Sequence, residues 1–204
     1  MRKIATLAVL AVLFAPTLAS AQLSLGARLG YAFAMGEAEE GIDVSDGAKA
    51  QIPIQLDVGY RATPALTLGG YFSYGFGRIG GDAEDYCDVA DVDCSARVYR
   101  LGLQLEYRFA QPAATPWLGA GIGYEWAKLE YGNEKLSYSG FEFLNLQGGV
   151  EWKAGEKFWV GPFAMLSLAK YSNSSYEAPG VDGEADVDGM HQWMQLGVRG
   201  RFDL

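Results

Sequence analysis

Eight segments of alternating polarity follow one another along this chain, and the connections between them are alternately long and short. The segments are Leu23–Met35, Gln51–Arg61, Leu66–Gly77, Arg97–Phe109, Trp117–Lys128, Phe143–Lys153, Phe158–Lys170 and Met190–Leu204. Most have about 10 to 13 residues, whereas an ordinary strand most often has about five or six. Antiparallel strands of this length, joined by short turns on one side and longer loops on the other, are typical of a transmembrane β-barrel.

After the N-terminus, no stretch approaches the ~20 consecutive apolar residues that a membrane-spanning helix requires. Lipid cannot satisfy open strand edges, so strands that cross a bilayer must close into a barrel. The sequence therefore predicts an all-β fold, an eight-stranded antiparallel up-and-down transmembrane barrel of the outer-membrane type. Both termini then share one side with the short turns near residues 62–64, 111–112 and 154–156. This arrangement predicts periplasmic termini and extracellular long loops.

The N-terminus has the pattern of a secretory signal peptide. Arg2 and Lys3 precede an apolar run from Ile4 to Leu18, and the small residues 19–21 fit a cleavage site. An uncleaved anchor helix is the alternative, but the run is short for a span. We expect residues 1–21 to be removed and residues 22–204 to form one barrel domain. The cleaved chain has 14 basic and 25 acidic residues, a net charge of −11, which argues against nucleic acid as a partner.

One face of most segments is aliphatic in the middle and aromatic towards the ends. This distribution predicts that the apolar face meets lipid, with aromatic residues at both membrane interfaces. A soluble lipocalin-like barrel would also alternate, but its apolar face would point inward. The predicted aromatic girdles contain Tyr31, Phe33, Tyr60, Phe72, Tyr74, Tyr99, Tyr107, Phe109, Tyr124, Trp126, Trp152 and Phe202.

The opposite faces carry glycine, glutamine and charged residues, and every lysine after residue 21 lies in a connection or at a segment end. Small residues with a few charges of both signs suit a narrow barrel interior. The charged residues predicted to face this lumen are Arg28, Asp57, Arg100, Glu106, Arg108, Glu125, Glu151, Arg199 and Arg201. Since an unpaired buried charge is costly, we expect them to form an ion-pair network that fills the lumen.

The seventh segment, Phe158–Lys170, is apolar on both faces, so the pattern leaves its orientation open. Pro162 removes a donor from the ladder, which predicts a bulge or an unpaired position there. Phe141 and Phe143 pose the same problem of orientation at the start of the sixth segment.

The four long connections, near residues 36–50, 78–96, 130–140 and 171–189, hold most of the acidic residues. The run Glu184-Ala-Asp186-Val-Asp188-Gly189 looks like the start of a calcium loop. However, the position of the closing bidentate acid is taken by Gln195, so the match fails and no metal site is predicted. Two interpretations remain: loops kept soluble by their charge, and loose cation bridging to the phosphates of surface lipids.

The two cysteines, Cys87 and Cys94, lie close together in the second long connection. A close pair in an exported chain indicates a disulfide. A metal site is the weaker alternative, since no histidine or third cysteine is near. The ladder of the barrel closes elsewhere, so we expect the barrel to insert without this bond.

The chain has one histidine, His191, at the start of the last segment. Some eight-stranded outer-membrane enzymes act on lipid A with a histidine and a serine near the outer rim. Ser172, Ser174 and Ser175 precede His191, but no serine lies two or four residues along the same segment. A structural histidine beside Trp193 at the membrane interface is the preferred interpretation, so no catalytic residue and no cofactor are predicted.

The chain resembles the small OmpA/OmpX-type outer-membrane β-barrel proteins over its whole length after the signal. The resemblance is in the signal peptide, in glycine-aromatic strands such as Leu66-Thr-Leu-Gly-Gly-Tyr-Phe-Ser-Tyr, and in the closing strand Gln195-Leu-Gly-Val-Arg-Gly-Arg-Phe-Asp-Leu204. Family members often end in an aromatic residue, whereas this chain ends in Leu204, with Phe202 on the same face.

The resemblance implies a monomer of the cell outer membrane. Its expected partners are membrane lipid and lipopolysaccharide, and the barrel-assembly machinery during insertion. It implies a structural role in the envelope, or an adhesin-like surface interaction through the acidic loops with a ligand that is not identified. The alternatives are a narrow pore for small or hydrophobic solutes, as in OmpW-like barrels, and, less favoured, a lipid A-modifying enzyme.

Overall fold

The computed structural model describes residues 22–80, 87, 89, 92–109 and 114–204. Eight long strands, a two-residue strand and one helical turn make up the described chain. The elements are β1 Gln22–Glu39, β2 Ile42–Asp43, α1 Val44–Gly47, β3 Ala48–Arg61, β4 Leu66–Ile79, β5 Cys94–Arg108, β6 Thr115–Tyr131, β7 Glu134–Lys153, β8 Phe158–Ala178 and β9 Val181–Asp203. No described helix is long and apolar enough to cross a membrane.

The eight long strands form a closed antiparallel barrel, which confirms the predicted fold class. Each strand pairs with its neighbour in the chain, and β1 closes the ring by pairing with β9. The closing ladder is long, since partners run from Ser24–Asp203 to Gly36–His191. The small strand β2 adds only to the end of β1. The described strands therefore leave no open edge along the height that all eight share.

Side chains alternate between the outside and the inside of the barrel, because successive residues of a strand point to opposite faces. In β3, for example, Ile52, Ile54, Leu56 and Val58 are exposed at 44–56%, whereas the residues between them are buried. The apolar face points outward, as predicted for a barrel in lipid.

The aromatic residues predicted for the girdles all lie on the outer face. Those at the short-turn ends of their strands are Tyr60, Tyr107, Phe109, Trp152 and Phe202, whereas the others lie within strands that continue past them. Several rings form edge-on pairs such as Tyr31–Phe33 and Tyr107–Phe109, with ring centroids 4.9 and 5.0 Å apart. Phe72 corrects the prediction. It lies at the middle of β4, paired with Leu56 and Leu101, and therefore belongs to the aliphatic band.

The structure settles the orientation of the seventh predicted segment, which is the first part of β8. Gly161, Phe163, Met165 and Ser167 are buried inside, and the residues between them face outward. Pro162 points outward opposite Val198 of β9, without a register shift at that position. Towards β7, the paired positions stop at Phe163 and resume at Val160, so the proline lies in a gap of that ladder.

The third and fourth long connections are mostly strand, which corrects the predicted loops at 130–140 and 171–189. Strands β6 and β7 continue to a turn at Gly132-Asn133, and β8 and β9 continue to a turn at Pro179-Gly180. Gly132 and Gly180 have φ of 58° and 81°, values that tight hairpin turns require and that glycine adopts readily. Strands β6 to β9 therefore rise as a four-stranded extension above the shorter β3 and β4. We call this side of the molecule the hairpin end, and the opposite side the short-turn end.

The first connection folds inward instead of projecting away. Strand β2 and the turn α1 lie over the hairpin end, and Val44 is buried there against Ala48, Val98 and Leu129. In the second connection, the predicted disulfide joins Cys87 to Cys94 at the first residue of β5. The predicted signal peptide 1–21, the turn 111–112 and the acidic residues Asp82, Glu84, Asp85, Asp88 and Asp91 lie outside the described residues.

Candidate functional site in the barrel interior

Ten charged side chains besides His191 are buried among the described residues, and all of them point into the barrel. The nine predicted lumen charges are among them, each no more than 6% exposed. The tenth is Glu142, which the sequence analysis did not identify. With it, five arginines face five carboxylates, so the buried formal charges balance. The structure divides them into two groups, one towards each end of the barrel.

The group nearer the short-turn end is a continuous network, which we call the lower network. Arg28 Nε lies 2.6 Å from Asp57 Oδ2, and Arg28 Nη2 lies 3.2 Å from Glu106 Oε1. Arg199 Nη2 reaches the same Glu106 oxygen at 2.8 Å. The network continues to Glu151, which is 3.5 Å from Arg199 Nε and 3.0 Å from Arg201 Nε. Every carboxylate here contacts at least one arginine, so no acid of this group is left without a positive partner.

Amides and aromatic rings complete the lower network. Gln104 donates to Asp57 at 3.0 Å, and Gln147 donates to Gln104 at 2.9 Å while accepting a bond from Arg28. The guanidinium of Arg199 lies 4.5 Å from the centre of the Trp117 ring, a geometry that favours cation–π attraction. Trp117 packs against Phe163 and Met165 in a buried apolar layer. The lumen is thus filled across its width at this level.

Arg108 is the weakest member of the predicted set. Its guanidinium is 3.6 Å from Glu106 Oε2, which is beyond hydrogen-bond distance. Its neighbours include the positive charges of Arg199 and Arg201. The structure brings Arg108 into the lumen but holds it at the margin of the network.

The second group surrounds Glu125, nearer the hairpin end, and we call it the Glu125 cluster. One oxygen of Glu125 accepts bonds from Tyr171 Oη at 2.5 Å and Trp193 Nε1 at 3.2 Å, and lies 2.9 Å from His191 Nε2. The other oxygen is 2.9 Å from Arg100 Nε. The side chain of Glu125 is fully buried. Four different strands, β5, β6, β8 and β9, are therefore joined through one carboxylate.

Glu142 belongs to the Glu125 cluster and explains why the buried charges balance. It lies 3.9 Å from Arg100 Nη1 and accepts a hydrogen bond from the hydroxyl of Tyr71. Asn145 donates to Tyr71 at 3.1 Å and also accepts a bond from Gln147 at 3.4 Å. These amide contacts link the Glu125 cluster to the lower network.

A bulge in β7 hid Glu142 from the sequence pattern. The register against β8 shifts between Glu142 and Leu144, so that both Glu142 and Asn145 point inward although they are three residues apart. A strict two-residue period read from Asn145 therefore fails at Glu142. The available signal was the glutamate itself, which stands between two phenylalanines that suit the outer face.

His191 and Trp193 lie inside the barrel and are both fully buried, which corrects their predicted place at the membrane interface. The imidazole stacks on the ring of Tyr171 with centroids 3.9 Å apart. Its Nε2 faces Glu125, whereas Ser174 is in the extension and donates to the carbonyl of Ala185. These contacts favour the structural role that was predicted for His191.

At the level of the lower network, the interior leaves very little free volume. The cavity found within the lower network, bounded by Asp57, Gln104, Glu106 and Arg199, measures about 10 Å³. That is about the smallest space that can hold one water molecule. No cluster of metal-ligating side chains occurs among the described residues. The chemistry that this arrangement supports is mutual neutralisation of buried charge.

Solved structures with the same fold come from several bacteria. Neisserial surface protein A is 15% identical with a TM-score of 0.60, and the match covers 88% of this chain and 97% of that one. A major outer membrane protein of Thermus thermophilus is 13% identical with a TM-score of 0.58, covering 91% of this chain and all of that one. At these identities the likeness concerns the fold alone.

No curated protein sequence matches this chain. A family match, in contrast, extends along almost all of it, over residues 5–202, and the family is described as the outer membrane protein beta-barrel domain. The outward apolar face, the aromatic residues on that face and the closed ladder agree with that description. The chain therefore belongs to the outer membrane protein beta-barrel domain family, whose place is the outer membrane.

Proposed function

We propose that this protein is a non-conducting, non-enzymatic barrel that anchors a surface-interaction platform in the outer membrane. In this proposal the termini and short turns are periplasmic, and the hairpin end projects from the cell. The barrel works as a monomer surrounded by lipid and lipopolysaccharide, after insertion by the barrel-assembly machinery. The platform is the four-stranded extension formed by the upper parts of β6 to β9.

The filled lumen is the observation that carries the proposal. A channel needs a continuous polar path, but the described interior is occupied by the lower network, the Trp117 layer and the Glu125 cluster in succession. Moving one of these side chains aside would leave buried charges without partners, which costs several kcal/mol. This favours an anchoring role over the narrow-pore alternative.

The outer face of the extension supports the second half of the proposal. One row across the four strands runs from Lys128 through Ser137 and Ser175 to Glu184. In the next row on this face, Ser139 pairs with Asn173. These residues line an open polar groove of about 730 Å³. Side chains with short hydroxyl, amide and carboxylate groups suit a polar partner such as a sugar or a protein surface. The apolar belt, by comparison, lies lower on the same strands.

Conductance recording tests the anchoring role. Purified full-length protein in a planar bilayer should give no steady single-channel current, because the charge network closes the lumen. A known porin reconstituted in the same way provides the positive control. A reproducible, steady current from single wild-type barrels would overturn the proposal and support the pore.

Shortening the extension tests the surface role. Replacing residues 174–185 by a two-residue turn should leave insertion and the heat-dependent shift on a denaturing gel unchanged, because the barrel ladder below is intact. Adherence of expressing cells to host-matrix-coated surfaces should fall to the level of cells without the protein. A shortened variant that adheres as well as the wild type would show that the extension is not the interaction surface.

A further inference from the structure

The inward-folded first connection forms one side of a half-open pocket at the hairpin end of the barrel. Its volume is about 200 Å³, and it lies between α1 and the inner faces of β5, β6 and β7. We call it the mouth pocket. It is separate from the polar groove of the extension, which is on the outer face of the same strands. An inference about the mouth pocket therefore goes beyond the proposed function.

The walls of the mouth pocket are apolar. They are formed mainly by Val44, Ala48, Val98, Leu129, Leu136 and Tyr138. Tyr171 and Trp193 form its floor, and their polar atoms already donate to Glu125. They therefore offer the pocket mainly ring carbon. A concave, mostly apolar pocket with aromatic walls and few polar groups is the usual form of a small-molecule site.

Volume limits the size of a ligand. An apolar cavity of about 150 Å³ engineered in another protein binds benzene. At about 200 Å³, the mouth pocket has room for a single aromatic ring with a small substituent. The layer below is the Glu125 cluster, so the pocket ends there and does not continue through the lumen.

Charge limits the kind of substituent. The polar residues at the rim are Asp43, Asp46 and Arg97, and Arg97 is 3.4 Å from Glu130. Since the one rim arginine is paired with an acid, the two aspartates give the opening a negative character. An anionic substituent would be repelled there, whereas a neutral or cationic one would not.

We propose that the mouth pocket binds small neutral or cationic monoaromatic molecules and excludes their carboxylate analogues. Three water-soluble probes share one ring and differ in charge: benzyl alcohol, benzylamine and benzoate. Full-length protein in nanodiscs of zwitterionic lipid can be titrated with each probe by ligand-observed NMR. Benzyl alcohol and benzylamine should bind saturably, and benzoate at least about ten-fold more weakly.

Two alanines of the same strand provide a matched pair of variants. Ala127 lines the mouth pocket, whereas Ala120 is exposed on the outer face of β6. Ala127→Leu should weaken benzylamine binding at least about ten-fold, and Ala120→Leu should leave it unchanged. If Ala127→Leu does not fold, Ala48→Leu fills the same pocket from β3. Equal binding to wild type and to the filled variants would overturn the proposal, because it would show partition into lipid only.

Removing the two negative charges at the rim tests the charge selectivity of the mouth pocket. The double variant Asp43→Asn, Asp46→Asn should bring benzoate binding close to that of benzyl alcohol, because both negative charges are removed without a change in pocket size. If benzoate binds the wild type as well as benzyl alcohol does, the charge selectivity is wrong. A steady current through the barrel, or full adherence of the shortened variant, would not change the binding results expected here. The proposed function and the mouth-pocket proposal can therefore fail separately.

Discussion

Arg100 is the arginine on which the Glu125 cluster depends, and its removal should be among the most damaging single changes in the barrel. Its side chain is 2% exposed and contacts Glu125 at 2.9 Å and Glu142 at 3.9 Å. It also lies 5.6 Å from the centre of the Trp193 ring. Arg100→Met keeps much of the apolar stem but leaves two buried carboxylates without this partner. The free energy of unfolding should fall by about 3–5 kcal/mol, the usual cost of breaking a buried pair.

Arg108→Met is the matched control. Arg108 is also buried, but its one ion-pair contact among the described residues is 3.6 Å long. Its loss should cost only about 1 kcal/mol, the common value for an ordinary substitution. The comparison separates the loss of a buried cation in general from the loss of one that neutralises a carboxylate.

Replacing Glu142 as well should restore part of the stability that is lost in Arg100→Met. In the double variant Arg100→Met, Glu142→Gln, only Glu125 remains as a carboxylate in the cluster, and His191 is beside it at 2.9 Å. We therefore expect the double variant to be more stable than Arg100→Met alone, which is a coupling that independent sites would not show.

The assay is equilibrium unfolding in urea of barrels folded into phosphatidylcholine vesicles, followed by tryptophan fluorescence. The unfolding midpoints are compared after checking that the denaturant slope is unchanged, since only then does a shift report stability. Equal losses for Arg100→Met and Arg108→Met, or no recovery in the double variant, would refute the reasoning that pairing within the Glu125 cluster sets its stability.

Three further outcomes are expected. The folded barrel should migrate faster unheated than boiled on a denaturing gel, and a soluble protein with no such shift would contradict the membrane barrel. Cys87→Ser, Cys94→Ser should insert normally but lose protease resistance in the second connection only, so failed insertion would show that the disulfide matters for assembly. Gly123→Ala should cost about 1–3 kcal/mol, because the added Cβ would lie too close to Tyr71. Gly70→Ala, whose Cβ meets only ordinary contacts, should be tolerated, and the same urea assay measures both variants.

The eight strands could be predicted because a two-residue period is strong where one face meets lipid and the other a crowded interior. That period follows from strand geometry. It held along the whole of β5, and in β3 from Gln51 onward, after the register shift between Ala48 and Ala50. It did not identify the upper parts of β7, β8 and β9, where polar, acidic and glycine residues predominate. Residues 172–175 and 182–186 are mostly serine, asparagine, glycine and acids, a composition that is common to loops and to solvated strands.

The interior was predictable in composition but not in arrangement. All nine charges predicted for the lumen are buried there. A charged side chain on a strand that crosses a membrane faces either the lipid or the lumen, and contact with lipid is costly. Their division into two groups depends on register between distant strands, as in the contact from Arg28 of β1 to Glu106 of β5. Phe163 and Met165 were ambiguous for a different reason. They fill the lumen around Trp117 with apolar volume, so β8 lacks the contrast that orients the other strands.

The unequal height of the barrel wall leaves β9 uncovered on one side. Among the described residues, its ladder with β1 stops at Gly36–His191, whereas its pairing with β8 continues up to Ala178–Val181. The ladder with β1 does not extend along residues 181–188, so this edge could accept a strand from another molecule, the first step of edge-to-edge aggregation. Asp182, Glu184, Asp186 and Asp188 occur there at every second position, so an identical incoming strand would bring carboxylates against carboxylates. The acidic repeat of this edge, part of which looks like the start of a calcium loop, therefore disfavours pairing between the sheets of identical copies.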